Sequence, residues 1–277
     1  KIANCAGLIN IRCQNGNLEL EKLTGEKFTC TNNFGNITAT DISADSRFRC
    51  RNGNIDLTRH NGGLELATEF GSVTLLDING DLNIRGRNSS IDISEIKGMA
   101  TIENEFQQVS CKNIAGDLSV KMKNGDVTVQ NVGGDLKLTN EFAGSFIEQI
   151  KGTAEIISQN GKVVLKDVQQ PIRIANSFAS TILSDINADL TIKAGNGTVK
   201  VDDLKKSQIR MNISNSFGLV DIEIPETYQG AYDLSTDWGE IHMDQKPDNK
   251  QAFVKEGKTS EFIKIKNTNG DIKIRKK

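Results

Sequence analysis

Proline, aromatic residues and long apolar runs are all scarce in this chain of 277 residues, which has three prolines and 5% aromatic residues. No apolar run approaches the ~18 residues that a membrane-spanning helix needs, and no charged-then-apolar leader opens the sequence. Five cysteines cannot all pair with one another and are too few for a disulfide framework at this length. We therefore expect neither a membrane-spanning helix nor a fold held together by disulfides.

The composition is that of strands and turns around a thin core, because only 36% of the residues are apolar while 25 are glycine. The net charge is −2, and no stripe of arginine with exposed aromatic residues is present. Nucleic acid is accordingly not an expected partner.

An internal repeat dominates the sequence. One column of phenylalanines recurs at an interval of 36 residues, with a final interval of 39: Phe34, Phe70, Phe106, Phe142, Phe178 and Phe217. A second column lies midway between them: Asn52, Asn88, Asn124, Asn160 and Asn196, with Asn15 one residue out of register. Self-similarity at such a period indicates a stacked array of coils.

Within each repeat, apolar residues alternate with polar ones, as at Val127 and Val129 and again at Leu136 and Leu138. This period of two predicts short β-strands, separated by turns such as Gly133-Gly134. The repeat divides into two similar halves, so a coil has either 18 residues and two strands or 36 residues and four. Because Phe and Asn alternate regularly, stacking like on like favours the 36-residue coil, with the phenylalanines in an internal stack.

The sequence thus predicts an all-β parallel β-helix, or β-solenoid, with right-handed coiling favoured. We expect a single elongated domain over residues 1–277. Residues 1–14 are its N-terminal edge, 15–224 its regular coils, and 225–277 an irregular last coil and a C-terminal cap. Asn269-Gly270 predicts a hairpin turn within that cap, because this dipeptide favours two-residue hairpin loops.

The phrases NGDVTV at 124–129, VGGDLKL at 132–138 and NGDIKI at 269–274 resemble those of a bacterial family of adhesin-like proteins of unknown function with β-strand repeats. The resemblance covers nearly the whole chain. It implies a β-solenoid displayed on the cell surface or in the envelope, hence an extracytoplasmic location. It supplies no catalytic residues and no cofactor.

Paired acidic residues at one turn are the best candidates for a site on the surface. They recur in three repeats, as Asp41 with Asp45, Asp77 with Asp81, and Asp185 with Asp189. Oxygen ligands along a groove can hold calcium, although aspartate is also a common turn residue and the nonapeptide of calcium-bound β-rolls is absent. The favoured prediction is that no metal is bound.

One histidine and one pair of cysteines could each be either a structural residue or a chemically active one. His60 stands in an otherwise apolar column, and we expect a corner where its ring reaches solvent rather than a ligand or a base. Cys13 and Cys50 share a column at the 36-residue period, which would make them stacked neighbours within disulfide reach, bridged or not.

The predicted function is a non-enzymatic scaffold or binding platform of the cell envelope, without a catalytic site or a cofactor. The sequence does not identify a partner, for which cell-surface polysaccharide and protein are both candidates, and a membrane anchor would lie outside the given sequence. One alternative is a carbohydrate-active enzyme on the same scaffold, whose catalytic groups would be paired carboxylates. The other is an extracytoplasmic envelope-sensing domain.

Overall fold

The computed structural model describes residues 1–205, 208–243 and 250–277, with the backbone alone for 258–260. Strands joined by short turns make up this part of the chain, and no helix occurs in it. The chain forms two compact units, Lys1–Lys137 and Leu138–Lys277, which we call unit 1 and unit 2. Each unit is a stack of parallel strands, so the predicted all-β solenoid is confirmed.

Unit 1 contains strands that run either along one side of a coil or through a corner onto the next side. They are β1 (Ile2–Ala6), β2 (Ile9–Asn15), β3 (Leu18–Phe34), β4 (Ile37–Asn52), β5 (Ile55–Asn61), β6 (Leu64–Asn79), β7 (Leu82–Ile96), β8 (Ala100–Phe106), β9 (Val109–Ile114), β10 (Leu118–Asn124) and β11 (Val127–Val132).

The next strand, β12 (Leu136–Asn140), contains the boundary between the units. Unit 2 continues with β13 (Ser145–Ile150), β14 (Ala154–Ser158), β15 (Val163–Val168), β16 (Ile172–Asn176), β17 (Thr181–Ile186), β18 (Leu190–Asn196), β19 (Val199–Leu204), β20 (Arg210–Phe217), β21 (Val220–Ile224), β22 (Gly230–Thr236), β23 (Ile241–His242), β24 (Ala252–Lys255), β25 (Lys258–Asn269) and β26 (Ile272–Lys276).

The register of the strands shows that a coil has 18 residues. Ile55 lies between Ile37 and Val73 in unit 1, and in unit 2 Thr181 pairs with Val163 in the same way. The predicted coil of 36 residues with four strands is therefore wrong. The sequence repeats at 36 because two kinds of coil alternate along the chain, so that its period is twice that of the backbone.

At one corner of each coil a non-glycine residue has a left-handed backbone, and this residue sets which side chains point inward. In β11, Val127 and Val129 are buried on the period of a strand, but the next buried residue is Val132 because Asn131 has a φ of 61°. A left-handed residue shifts the alternation by one position, and Asn and Asp tolerate this conformation better than most. The same conformation recurs at every coil from Asp41 to Asp203.

The core consists of aliphatic rows that run along the stack, one residue from each coil. One row of unit 1, entirely buried, contains Phe48, Leu66, Ile84, Ile102 and Val120. The same row in unit 2 contains Ile156, Ile174, Ile192, Ile213, Ile265 and Leu234. Each fully buried aliphatic side chain contributes about 1.5–3 kcal/mol of transfer free energy, so the rows stabilise the coils along the stack.

The phenylalanine column lies on the outside of the coils, which overturns the predicted internal stack. Its side chains are exposed by 37% at Phe106 to 62% at Phe178. The aromatic rings of the unit 1 core are instead Phe28 and Phe48, whose centroids are 5.2 Å apart. Phe106 pairs with Asn88, so phenylalanine and asparagine alternate on one edge.

The C-terminal strands occupy a place that their position in the chain does not suggest. β25 pairs in parallel with both β20 and β22, and β26 pairs with both β21 and β23. The last coil of the chain therefore lies between the coil of β20–β21 and that of β22–β23. The short strand β24 pairs antiparallel with β22 and covers its other edge, as a cap would.

The predicted hairpin at Asn269-Gly270 is wrong. β25 and β26 are successive sides of one coil, each in parallel pairing with its neighbours, and Asn269 lies opposite Phe217. Gly270 has a positive φ of 148° at this turn of the coil, as other glycines do at the equivalent turns of other coils. Residues 244–249 of the predicted segment 225–277, and residues 206–207 of the predicted regular coils, lie outside the described residues.

Candidate functional site: an exposed ladder of aromatic and asparagine side chains

One turn of each coil carries a residue that is alternately aromatic and asparagine, with the aromatic side chains exposed and Asn52, Asn88 and Asn269 half-buried. Backbone pairing places these residues in line, and we call the line the ladder and each residue a rung. In unit 1 the rungs are Asn15, Phe34, Asn52, Phe70, Asn88, Phe106 and Asn124. Adjacent rungs belong to adjacent coils, so aromatic rings occur at every second strand spacing, roughly 9.6 Å.

The ladder of unit 2 begins with Phe142, Asn160, Phe178, Asn196 and Phe217, whose order is that of the chain. Backbone bonds join these rungs, for example from Phe178 N to the carbonyl of Gln159 at 2.8 Å. Phe217 then pairs with Asn269 of the inserted coil. In the following coil Thr236 pairs with Asn267, and Trp238 N donates to the Thr268 carbonyl at 3.0 Å. Trp238 is therefore the rung after Asn269.

Trp238 keeps the alternation intact across the rearranged C-terminus. It lies 21 residues after Phe217 in the sequence, and the inserted coil places Asn269 between the two aromatic side chains. Trp238 is also the most exposed of the ladder's aromatic side chains, at 79%. Sequence periodicity did not identify this residue, because the coil that separates it from Phe217 comes later in the chain.

A buried side chain two residues before each aromatic rung holds the turn in shape. Asn176, 2% exposed, precedes Phe178 and donates through Nδ2 to the Ala179 carbonyl at 2.9 Å. Thr236 holds the same place before Trp238 and donates to the Gly270 carbonyl at 2.9 Å. Before most asparagine rungs this place holds other residues, such as Gly86, Met122 and Ser158, but the inserted coil has the buried Asn267 before Asn269. Outside the inserted coil, the two kinds of coil thus differ inside the turn as well as on its surface.

Close approach of successive turns requires glycine after several rungs. Gly71 follows Phe70 with a φ of 126°, and a Cβ on it would collide with the Gly53 carbonyl of the preceding coil. Beside a glycine, the side chain of the rung stands exposed at the turn, as that of Phe70 does. Folding does not require a large apolar residue at that point, because the ring contributes only part of its surface to packing.

The acidic residues predicted as calcium candidates hold the coils together. Asp45, Asp81 and Asp189 each accept a backbone N–H from the next coil, at 2.9, 2.9 and 3.1 Å. The other three, Asp41, Asp77 and Asp185, are the left-handed residues of their coils. Arg59 donates to both carboxylate oxygens of Asp41, and Lys205 lies 3.7 Å from Asp185. Among the described residues no cluster of acidic, histidine and cysteine side chains forms a metal site.

His60 is buried rather than open to solvent, contrary to the prediction, with 1% of its surface exposed. It lies between Ile42 and Ile78 in a core row of unit 1, and the Gly62 and Ala44 backbone near its ring nitrogens falls short of hydrogen-bond geometry. Burial lowers the pKa of the imidazole to about 4, against the smaller, opposite effects of the Gly62 and Ala44 backbone and of Asp45. The ring is therefore neutral at pH 7 and poorly placed to act as a base.

The cysteines are free thiols, and the predicted proximity of Cys13 and Cys50 is wrong. Asn32 lies between them, because each pairs with it from an adjacent coil. Burial raises the pKa of Cys30 to about 12, so this thiol is a packing residue rather than a nucleophile.

The fold and its surface define a β-solenoid repeat domain with an exposed ladder. A family profile for the Toastrack domain, DUF4097, matches residues 6–275, and the chain belongs to this family of unknown function. Neither the curated proteins nor the solved structures include a match to the chain. In the described part of the chain, no helix is long and apolar enough to cross a membrane.

Proposed function

We propose that this domain is a non-enzymatic binding platform of the bacterial cell envelope and that the ladder is its recognition surface. The observation that carries the proposal is the exposed aromatic series of unit 2, in which Trp238 extends the alternation through a rearranged part of the chain. In the order of the chain, the alternation would give asparagine at the rung of the coil after that of Phe217, but this rung is Trp238. Duplication of coils alone would therefore not put an aromatic residue there. Single exposed apolar residues are common on proteins, but a row of them held in line on successive coils supports an interaction surface.

A binding role fits the other side chains of the surface. The acidic residues that an enzyme would need at one place are distributed along the stack, where they bond to the backbone or to basic residues of adjacent coils. The envelope location is part of the proposal, and it rests on the resemblance to adhesin-like proteins. The same resemblance makes a surface polysaccharide or protein the expected partner.

The experiment measures co-sedimentation of the purified protein with isolated bacterial envelopes. The test variant replaces Phe178, Phe217 and Trp238 by serine, and the control replaces Phe146 and Ile157, which are exposed by 44% and 40% but lie off the ladder. All five positions are exposed, so both variants should fold. We expect the ladder variant to lose about tenfold or more in affinity, while the control binds as the wild type.

Two results would contradict the proposal. One is a wild-type protein that binds no envelope fraction. The other is an equal loss of binding in the ladder variant and the control, which would show that apolar surface in general, and not the ladder, is responsible.

A further inference from the structure

The spacing of the aromatic rungs in unit 2 is regular over four residues, Phe142, Phe178, Phe217 and Trp238. Each is two coils from the next, and an asparagine occupies the coil between. The interval is roughly 9.6 Å, twice the distance between paired strands. A ligand that contacts every aromatic rung must therefore be extended and must present the same face at this interval.

The chemistry of the rungs points to alternate apolar and polar contacts along such a ligand. The phenylalanine and tryptophan rings offer flat faces for C–H groups. The exposed amides of Asn160 and Asn196 can both donate and accept hydrogen bonds, as hydroxyl groups require, and one N–H of Asn160 is shared with the Glu141 carbonyl at 3.4 Å. The pyranose rings of a sugar chain have both an apolar face and a rim of hydroxyls. In an extended β-1,4-linked glycan the same face recurs at every second sugar ring, a comparable interval.

The charge around the ladder of unit 2 disfavours an anionic polymer as its ligand. The rungs and the residues on either side of them include only two charged side chains, the acidic Glu141 and Asp237 near the two ends. Between Gln159 and Gly218, the rungs and their flanking residues are uncharged. Without a cation along the line, a polyanion such as a phosphate-rich polymer gains no attraction and meets acidic groups at both ends. The surface is complementary to a neutral chain.

We propose that the ladder of unit 2 binds a neutral, extended β-1,4-linked polysaccharide along its length, with sugar rings stacked on Phe142, Phe178, Phe217 and Trp238. The sugars between these contacts bond to the asparagine amides. This inference rests on the proposed function and specifies its ligand. Because two sugars span one interval, about seven rings cover the four aromatic rungs.

The test is calorimetric titration of the purified protein with β-1,4-linked glucose and N-acetylglucosamine oligomers of increasing length. Affinity should rise with each added disaccharide and level off when the chain covers the ladder. Amylose oligomers, which are α-linked and not extended, and polygalacturonate, which is anionic, should bind at least about tenfold more weakly. Trp238→Ala should weaken binding of the longest oligomer by about tenfold or more, and Phe146→Ala should leave it unchanged.

The outcomes separate this inference from the proposed function. If no neutral glycan binds but envelope co-sedimentation still depends on the ladder, the ligand is wrong and the platform stands. If neither binds, both fail. A third result would also overturn the inference: a dimer in ultracentrifugation that Trp238→Ala converts to monomer would assign the ladder to self-association. Equal affinities for short and long oligomers would contradict binding along the ladder.

Discussion

Unit 1 and unit 2 share the ladder but differ in the residues beside it. In five successive coils of unit 1 the residue before the rung alternates in charge: Arg51, Glu69, Arg87, Glu105 and Lys123. In unit 2 the same position is uncharged in five successive coils of the stack: Gln159, Ser177, Gly195, Ser216 and Thr268. The ladder does not depend on the charges, since it is complete without them. The charges of unit 1 therefore serve another purpose.

That purpose is pairing between neighbouring coils. Arg51 lies 2.9 Å from Glu69, and Arg47 bonds to Glu65 at 2.7 Å. In the strand before the rung, basic residues occupy the coils of Asn52 and Asn88, and acidic residues the coils of Phe70 and Phe106. If a strand paired with the strand two coils away instead of the adjacent one, like charges would lie side by side, which is unfavourable. Unit 1 thus marks its two kinds of coil electrostatically, whereas unit 2 marks them mainly by the rungs and the turn interiors.

The units also differ in the order of their coils. Unit 1 stacks its coils in the order of the chain, but unit 2 ends with the last coil inserted between two earlier ones. In unit 2 the coil that carries Phe217 is therefore joined to the coil that carries Trp238 through the inserted coil, which is the last segment of the chain. This connection leads to the largest expected effect.

Ile265→Ala should destabilise unit 2 by about 2–5 kcal/mol, because it leaves a cavity in the core of the inserted coil. Ile265 is 1% exposed and lies between Ile213 and Leu234. Amide exchange should accelerate in β22, whose parallel neighbour is β25. The readouts are chemical denaturation and hydrogen exchange followed residue by residue.

Ile84→Ala is the matched control, because Ile84 occupies the same core row in unit 1 and is fully buried. It should cost a similar free energy without faster exchange in β22. Lys264→Ala, which removes an exposed ion pair with Asp233, should cost less than about 1 kcal/mol. Accelerated exchange of β22 in all three variants would show that the inserted coil has no special role.

The second difference between the units concerns acid stability. His60 replaces an aliphatic residue in unit 1, where the same row of unit 2 contains Val168, Ile186 and Leu204. The folded pKa of about 4 lies below the ordinary value of 6.5, so between these values the unfolded chain binds a proton that the folded chain does not. Stability is therefore complete above pH 6.5 and falls as the pH decreases to 4, by up to about 3 kcal/mol.

His60→Ile should remove this contribution and leave only the titration of carboxylates. The measurement is the free energy of unfolding of the wild type and the variant at several pH values from 7.5 to 4. At pH 7 the variant should be as stable as the wild type or more so, because two unpartnered ring nitrogens are lost from the core. Parallel pH profiles for the two proteins would contradict a neutral, buried histidine.

The sequence was sufficient to predict strands, turns and a stacked array, because apolar alternation and turn residues act locally. It did not determine the coil length, since alternation of Phe34 with Asn52 is compatible with two backbone periods. A coil of 36 residues follows only if like residues stack on each other, and side chains on an exposed edge do not need to do so. Trp238 could not be placed, because pairing of β25 with β20 is a long-range choice that no local pattern records. The one local sign that Trp238 is a rung is Thr236, which lies two residues before it as Thr68 lies two residues before Phe70.

The smallest expected effect comes from transferring the charges of unit 1 to unit 2. Gln159→Arg with Ser177→Glu reproduces Arg51 and Glu69, since each residue precedes the corresponding rung. A double-mutant cycle should give a coupling of about 0.2–1 kcal/mol, because both groups remain in water. The coupling should decrease in about 1 M salt, where the Debye length falls to about 3 Å. Reversing the pair, with Gln159→Glu and Ser177→Arg, should give a similar coupling, because the favourable sign depends only on the coils being adjacent. If neither arrangement couples, then the side chains beside the rungs of unit 2 do not meet as those of unit 1 do, and the equivalence of the two ladders is wrong at this position.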